Sequence, residues 1–206
     1  MIRVSMTQGD DLWLKWRLGG IGGSDAAAIT GVSPYQTREE LLAQKVRNRF
    51  GQVRKTNSGK TSAMLRGTNL EPKVRQDYMD LTGNFVEVAC GIHEVYDFMR
   101  ASFDGLSLDG TLALEIKCPN WRDHSVALDG QVPTHYFPQC QHLLLVSGAK
   151  NLHYISFSDN KMFPLTSRLS PPVRVRPVPD YQKYLIEEET KFWQELTELR
   201  QKKEKS

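Results

Sequence analysis

The 206-residue sequence contains little cysteine and no long apolar segment. Its three cysteines, Cys90, Cys118 and Cys140, are widely spaced and odd in number, which excludes a disulfide framework and favours reduced thiols. The longest plainly apolar run, Leu143–Val146, is far shorter than the ~20 residues of a membrane span. Met1–Asp10 lacks the apolar core of a signal peptide, so we expect a cytoplasmic protein.

Charge is nearly balanced over the chain, with a net value of +3, but it is unevenly distributed. Between Lys45 and Lys60 there are six basic residues and no acidic one. This stretch is typical of a loop that lies along phosphates, and equally of a loop that only keeps the surface solvated. The hydrophobic content of 39% is sufficient for one globular core, and we predict a single domain over residues 1–206.

The most informative pattern surrounds the dipeptide Asp109-Gly110, which lies between two strand-like segments. Asp-Gly between apolar runs predicts a two-residue hairpin loop of type I′. Continuing that ladder away from the loop places Asp104 directly opposite Glu115. Directly opposed side chains lie on the same face of a sheet with Cβ atoms about 4.5–5.5 Å apart, so these two carboxylates would repel each other.

A divalent cation between Asp104 and Glu115 would remove that repulsion. Lys117 follows Glu115 by two residues and therefore shares its face of the strand. Carboxylate oxygens suit Mg²⁺ or Mn²⁺, and a lysine beside them can stabilise the charge that develops when a phosphodiester is cleaved. Each element of the pattern is also common on solvated strand faces, but together the residues predict a hydrolytic metal site.

At this point the sequence resembles the PD-(D/E)xK nucleases, which share the order Asp-x10-Glu-x-Lys. Further segments resemble the branch that contains phage lambda exonuclease and the YqaJ-type viral recombinases. These segments occur in the family's order within about residues 10–157: Trp13–Gly19, Ile21–Ser24, Arg66–Glu71, Ser102–Gly105, Leu114–Pro119 and Tyr136–Gln141. One departure is Phe103, which stands where the motif has proline; proline there shapes the chain and supplies no chemistry.

The resemblance implies a role for each motif residue. Asp104 and Glu115 would bind the metal, Mg²⁺ with Mn²⁺ as substitute, and the backbone carbonyl of Ile116 would complete the shell. Lys117 would be catalytic, with an electrostatic role better supported than that of a base. Further catalytic positions on nearby helices are Glu71, Tyr136 and Gln139.

A second cluster would recognise the end of the DNA. In the family, an arginine and two serines hold a terminal 5′ phosphate, and the matching residues are Arg17, Ser24 and Ser102. Ser24 also stands before an apolar run, where we expect a helix N-terminus that favours anions. Taken without the resemblance, Arg17 would form a surface salt bridge and Ser24 a simple helix cap.

The resemblance therefore implies a 5′-to-3′ exonuclease that acts on linear duplex DNA, releases mononucleotides and leaves 3′ single-stranded tails. It also implies a phage- or prophage-encoded enzyme in a bacterial host, an annealing protein as partner, and a ring-shaped homotrimer. Two alternatives stay open. An endonuclease or junction resolvase of the same fold would share Asp104, Glu115 and Lys117, and a DNA-binding module would bind without cutting.

The fold class that we predict is α/β: a restriction-endonuclease-like core with a central mixed sheet flanked by helices. Four prolines in residues 170–179 predict a stiff linker before a C-terminal helix within 180–206. Periodicity predicts helices over 10–18, 26–29, 62–81, 139–146 and 180–203, and strands over 85–90, 92–99, 101–108, 111–117, 152–157 and 162–165.

Overall fold

A computed structural model describes residues 1–49 and 62–205. Most of the predicted basic loop between Lys45 and Lys60 lies outside the described residues. Its first residues, 45–49, form the end of a helix instead, and the buried Lys45 pairs with Asp25 at 2.7 Å. The helices are α1 Asp11–Leu18, α2 Ala26–Ile29, α3 Arg38–Arg49, α4 Ser62–Thr82, α5 Trp121–Leu128, α6 Phe137–Ser147 and α7 Pro179–Glu204. The strands are β1 Ile2–Val4, β2 Ile21–Gly22, β3 Glu87–Ile92, β4 Met99–Leu106, β5 Leu112–Lys117, β6 Asn151–Ser156 and β7 Val173–Val175.

The strands form one mixed sheet in the order β1-β3-β4-β5-β6-β7, with the short β2 beside β4. The pairs β2–β4 and β5–β6 are parallel and the other pairs are antiparallel. The chain between the parallel strands β5 and β6 contains α5 and α6, as a parallel connection requires. The predicted α/β class, with a mixed sheet, flanking helices and a C-terminal helix, is confirmed.

Apolar side chains cover both faces of the central strands, because successive residues of a strand point to opposite sides. On one side, Leu114 and Ile116 of β5 pack with Val74 and Tyr78 of α4. On the other side, residues of β4 pack against α6 and α7, and this larger cluster includes Ala101, Phe103, Leu143, Leu144, Phe192 and Leu196. The sheet is therefore packed between helices on both faces, and this packing fixes the positions of the side chains that the strands carry.

Helix α7 is tied to the rest of the molecule by buried polar contacts as well as by its apolar stripe. The Glu189 carboxylate lies 2.8 Å from Nδ1 of His142 on α6, and both side chains are fully buried. Arg200 donates hydrogen bonds to the carbonyls of Leu18 and Lys45, at 3.0 and 3.1 Å. The C-terminal helix is thus part of the core.

Three predictions about extended segments are wrong. Residues 93–98 form a turn, in which Nδ1 of His93 accepts hydrogen bonds from the backbone of Val95 and Tyr96, each at 3.1 Å. Residues 162–165 do not form a strand. The predicted linker over 170–179 contains β7, which extends the sheet by pairing with β6.

Among the residues that the structure describes, no helix combines the length and the apolar character needed to cross a bilayer.

Candidate active site

The hairpin between β4 and β5 has the predicted register but a different loop. Its ladder pairs Gly105 with Leu114 and Leu106 with Ala113. The loop spans residues 108–111, and among the described residues only glycines have positive φ, so a type I′ turn at Asp109-Gly110 is excluded. The longer loop takes one residue from each strand, which leaves the pairing of the remaining residues unchanged.

A β-bulge lies where Asp104 stands. Strand β3 pairs Glu87 with Leu106 and Ala89 with Phe103, so Asp104 and Gly105 together oppose one residue. The ladder between β4 and β5 ends at Gly105 and Leu114, so Asp104 is not a ladder partner of Glu115, which corrects the prediction of direct opposition. Its carboxylate instead accepts a hydrogen bond from the backbone N–H of Ile116 at 2.7 Å. The bulge thus turns the carboxylate of Asp104 toward β5, beside Glu115.

Glu115 is held by two donors on one of its oxygens. The Lys117 ammonium and the side-chain amide of Gln139 on α6 both donate to Oε1, the amide at 2.6 Å. The other oxygen, Oε2, is buried and has no hydrogen-bond partner among the described residues. A buried carboxylate oxygen without a donor is costly, and a bound cation would satisfy it.

Burial and mutual repulsion shift the ionisation of this cluster. Burial raises the pKa of Asp104 well above its usual value, and the charges of Glu115 and Glu71 add to this. Burial also raises the pKa of Glu115, while Lys117 acts in the opposite direction. Burial opposes the charged form of Lys117, but Glu115 and Asp104 outweigh it and raise the pKa of the lysine. The Lys117 ammonium donates to Glu115 Oε1, so the lysine is placed as a positive donor within the cluster.

Glu71 lies close enough to act electrostatically on both site carboxylates, but it is engaged by a neighbour on its own helix. Arg75 of α4 donates to Glu71 Oε1 at 3.1 Å and also to the backbone carbonyl of Asp104 at 2.7 Å. Sequence reasoning missed Arg75, although its spacing of four residues from Glu71 is that of an ion pair on a helix.

Tyr136, which precedes α6, lies beside Lys117. Its ring is 5.4 Å from the lysine Nζ, a distance suited to a cation–π contact. Burial raises the pKa of its phenol, so the group stays protonated at neutral pH. The structure thus brings Tyr136 and Gln139, as predicted, to the same site as Glu115 and Lys117.

The donor set fits a divalent cation. Among the described residues, no three His, Cys, Asp or Glu side chains converge on a metal site. Asp104 and Glu115 would supply two acidic ligands, which is the number typical of Mg²⁺ when water and substrate phosphate complete its shell. The Glu115 Oε2 atom, which has no hydrogen-bond partner in the described part of the chain, is suited to such a role. The carbonyl of Ile116 as a further ligand stays a prediction.

The three residues predicted to hold a 5′ phosphate lie around Trp13 of α1. Arg17 donates to Ser24 Oγ at 2.9 Å, and its guanidinium lies 4.7 Å from the Trp13 ring. The indole N–H of Trp13 donates to Ser102 Oγ at 2.9 Å. Trp13 was missed from the sequence, although its spacing of four residues from Arg17 places both on one face of a helix.

Ser24 does not cap a helix, contrary to expectation. It lies within a 3₁₀ turn, Gly23–Asp25, and the carboxylate of Asp25 accepts from the backbone of Gly22 at 2.8 Å. The following helix α2 has only four residues, so its dipole contributes little at this position. Ser24 is exposed, however, and its hydroxyl is available to an anion together with Arg17.

The mixed sheet and the grouping of Asp104, Glu115 and Lys117 are those expected of the PD-(D/E)xK class. The chain matches the model of the YqaJ-like viral recombinase domain over residues 12–150, more than half of its length, and belongs to that family. Protein YqaJ of Bacillus subtilis (strain 168) is 33% identical over 140 residues, which make up 67% of this chain and 42% of that relative. The chain thus spans less than half of the length of this curated relative.

Solved structures show the same fold. The alkaline exonuclease LHK-Exo of Laribacter hongkongensis has a TM-score of 0.79 and 28% identity, with 95% of this chain and 97% of that chain covered. Its complex with dAMP has a TM-score of 0.80 and 27% identity over the same shares. A phage-related exonuclease from Haemophilus somnus 129PT shares the fold at a TM-score of 0.63 and 13% identity, with 91% and 96% covered. Family and fold together support a nuclease that acts on DNA.

Proposed function

We propose that this protein is a metal-dependent deoxyribonuclease that digests one strand of linear duplex DNA from its 5′-phosphorylated end. The observation that carries the proposal is the convergence of the part-buried Asp104 carboxylate and the buried Glu115 carboxylate beside the Lys117 ammonium, where one Glu115 oxygen has no hydrogen-bond partner among the described residues. The fold similarity to an alkaline exonuclease supports it.

The residues of the chain have distinct tasks in this reaction. Asp104 and Glu115 would hold Mg²⁺, or Mn²⁺ in its place. The ion, when bound, lowers the pKa of a water molecule and neutralises charge on the phosphate. Lys117 supplies a positive donor for the oxygen on which charge develops. Gln139 fixes the orientation of Glu115 through its hydrogen bond, and the Tyr136 ring supports the lysine ammonium.

Linear and covalently closed circular plasmid, incubated with the protein in Mg²⁺, test the proposal directly. We expect the linear form to be degraded and the circle to stay intact, whereas nicking of the circle would favour an endonuclease.

Lys117→Ala should keep DNA binding and lose cutting by about 10²–10³-fold or more, because a donor to the developing charge is removed. The exposed Lys150 offers the matched control, since Lys150→Ala should cut normally. If the unmodified protein binds DNA but does not cut it, the result would favour a DNA-binding module over a nuclease.

Metal binding is measurable without DNA. Mg²⁺ at about a hundred times its dissociation constant should stabilise the folded protein by about 2.7 kcal/mol, because the unfolded chain lacks the site. For a domain of this size that corresponds to a rise in melting temperature of about 5–10 °C, reversed by a chelator. Asp104→Asn should abolish the rise, whereas Glu188→Gln on the surface of α7 should retain it. An equal rise in the Asp104 variant would exclude this carboxylate as a ligand.

The cluster of Arg17, Ser24 and Ser102 predicts a preference for phosphorylated ends. Duplexes with a 5′ phosphate should be digested faster than those with a 5′ hydroxyl, because the phosphate adds charge-assisted hydrogen bonds. Arg17→Ala should make the two rates equal without changing the metal-induced rise in melting temperature. Exposed Lys15 on the same helix provides the control, as Lys15→Ala should preserve the preference. Equal rates with the unmodified protein would refute the end pocket.

Mononucleotide products and 3′ single-stranded tails would suit recombination by strand annealing. The crystallisation of LHK-Exo with dAMP supports a mononucleotide product. We therefore propose a single-strand annealing protein as partner, in a phage or prophage context within a bacterial cytoplasm. Chromatography of the digestion products would test whether mononucleotides are released. Release of oligonucleotides instead is incompatible with stepwise removal from an end.

A further inference from the structure

Tyr35 presents an unusually exposed aromatic ring from the segment between α2 and α3. Its relative exposure is 70%. The backbone that carries it is nevertheless held in place, because the N–H groups of Tyr35 and Gln36 donate to the hydroxyl of Ser33 at 3.2 and 3.3 Å. An ordered aromatic ring in water is available for a ligand at a small cost in conformational entropy.

The ring of Tyr35 is connected to the candidate active site by direct contacts. It meets the ring of His135 edge-on, with centroids 5.8 Å apart and an interplanar angle of 83°. Its phenol lies close enough to that of Tyr136 to contribute to the raised pKa of Tyr136. The Tyr136 ring in turn lies 5.4 Å from the Lys117 ammonium. Two side chains, His135 and Tyr136, therefore connect the exposed ring to the catalytic lysine.

Polar contacts also fix the platform beneath Tyr35. The His135 ring lies 4.1 Å, centroid to centroid, from that of Tyr136, and its Nε2 is 3.6 Å from the carboxylate of Asp123. The Asp123 carboxylate accepts a hydrogen bond from the side chain of Asn120 at 3.1 Å. Tyr35 thus belongs to a set of rings that extends from the protein surface to the lysine.

We propose that Tyr35 stacks on a nucleobase of the strand being cut, next to the phosphodiester held at Lys117. The proposal rests on the proposed nuclease function. Stacking on an aromatic ring is the common way in which proteins bind unpaired bases without regard to sequence. A base beside a phosphodiester at Lys117 would lie near the rings that lead from the lysine to the surface, and Tyr35 is the exposed ring of that set.

Another exposed aromatic residue, Trp121, carries less weight. It is 49% exposed, and the guanidinium of its neighbour Arg122 already lies 5.4 Å from its ring. It makes no ring contact with the set that reaches Lys117, among the residues that the structure describes. Tyr35 is therefore the better candidate.

A double-mutant cycle between protein and DNA tests the proposal. Affinities are measured by fluorescence anisotropy in Ca²⁺, with gels to verify that the DNA is intact, for duplexes in which an abasic site is moved one nucleotide at a time from the 5′ end. Tyr35→Ala should weaken binding of the intact duplex about five- to hundredfold, the range seen when a stacking ring is removed. At the one position that Tyr35 contacts, the abasic site should weaken DNA binding by the unmodified protein by the same factor. It should hardly change DNA binding by the Tyr35→Ala variant.

Two further variants separate stacking from other roles of the residue. Tyr35→Phe keeps the ring and loses only the hydroxyl, so its affinity should stay within about twofold. Tyr184→Ala removes a 42% exposed tyrosine that pairs with Tyr181 on α7, and it should show no coupling at any position.

The outcomes distinguish this inference from the proposed function. If the losses of affinity caused by Tyr35→Ala and by the abasic site are additive at every position, the stacking role is overturned. It is also overturned if Tyr35→Phe binds DNA as weakly as Tyr35→Ala. Cutting of linear DNA by the unmodified protein, measured separately in Mg²⁺, decides the nuclease function. Because the cycle reports binding, its result stands whether or not the DNA is cut.

Discussion

Arg75 connects helix α4 to the bulged strand that carries Asp104. Its guanidinium binds both the Glu71 carboxylate and the backbone carbonyl of Asp104. The ladder between β3 and β4 includes Phe103 and Leu106 but not Asp104. The backbone carbonyl of Asp104 therefore needs a hydrogen-bond donor from another element. Arg75 provides one, and in doing so fixes the position of Glu71 relative to the site.

We expect Arg75→Ala to lower both stability and activity. Removing a charged donor to a part-buried carbonyl should reduce the free energy of unfolding by about 1.5–3 kcal/mol, measured by urea denaturation. The cutting rate should fall about tenfold or more, because Asp104 is no longer held at the bulge. Lys73, which pairs with Asp77 and is 63% exposed, is the control on the same helix: Lys73→Ala should change stability by no more than about 0.5 kcal/mol. Similar effects of the two substitutions would argue against a specific role for Arg75.

The bulge in β4 is the element on which the site geometry depends. Gly105, its second residue, lies against β5 and the segment before β3. A Cβ added there would lie 2.7 Å from Val86 Cγ2 and 3.0 Å from Leu114 Cβ. The bulge therefore requires glycine for space, since no side chain fits between these neighbours.

Gly105→Ala should consequently destabilise the protein by about 1–3 kcal/mol, the usual cost of overpacking. The rate of DNA cutting should fall further than the loss of folded protein accounts for, because the displaced strand carries Asp104. Adding Val86→Ala removes the closest methyl and should recover part of the stability in denaturation measurements. Gly67→Ala is the control, because its Cβ would meet only Cys118 Cβ at 3.9 Å. No recovery in the double variant would show that the strain lies elsewhere.

At the scale of the whole molecule, strand β4 joins the two predicted sites. Ser102, in the end pocket, and Asp104, in the catalytic cluster, are two residues apart on this strand. The sheet therefore sets a fixed separation between these two predicted sites. Recognition of the terminal phosphate would place a defined phosphodiester at Lys117, as removal of single nucleotides requires.

The ring-shaped trimer remains a prediction for the assembled molecule. Light scattering after size-exclusion chromatography should give about three times the 23.5 kDa of one chain. An enclosed duplex cannot leave between cuts, so digestion should continue along one DNA molecule after excess unlabelled DNA is added as a trap. A monomeric mass together with immediate arrest by the trap would contradict the ring.

The sequence alone was sufficient for the parts of the site that depend on neighbours along the chain. The register of the β4–β5 hairpin follows from a turn signal and strand alternation, and it brought Glu115 and Lys117 to the correct strand positions. Helices α4 and α7 followed from apolar periodicity over many residues. Local contacts of this kind leave a repeating pattern in the sequence, which is why they can be predicted.

Tertiary structure decided what depends on distant segments. The β4 bulge, the contact of Arg75 with the Asp104 carbonyl, and the approach of Tyr35 to His135 each join residues far apart in the chain. The pairing of β7 with β6 likewise joins separate segments of the chain, and the prolines beside β7 gave no sign of it. Such contacts depend on how packed elements fit together, and no local pattern of residue types specifies that fit.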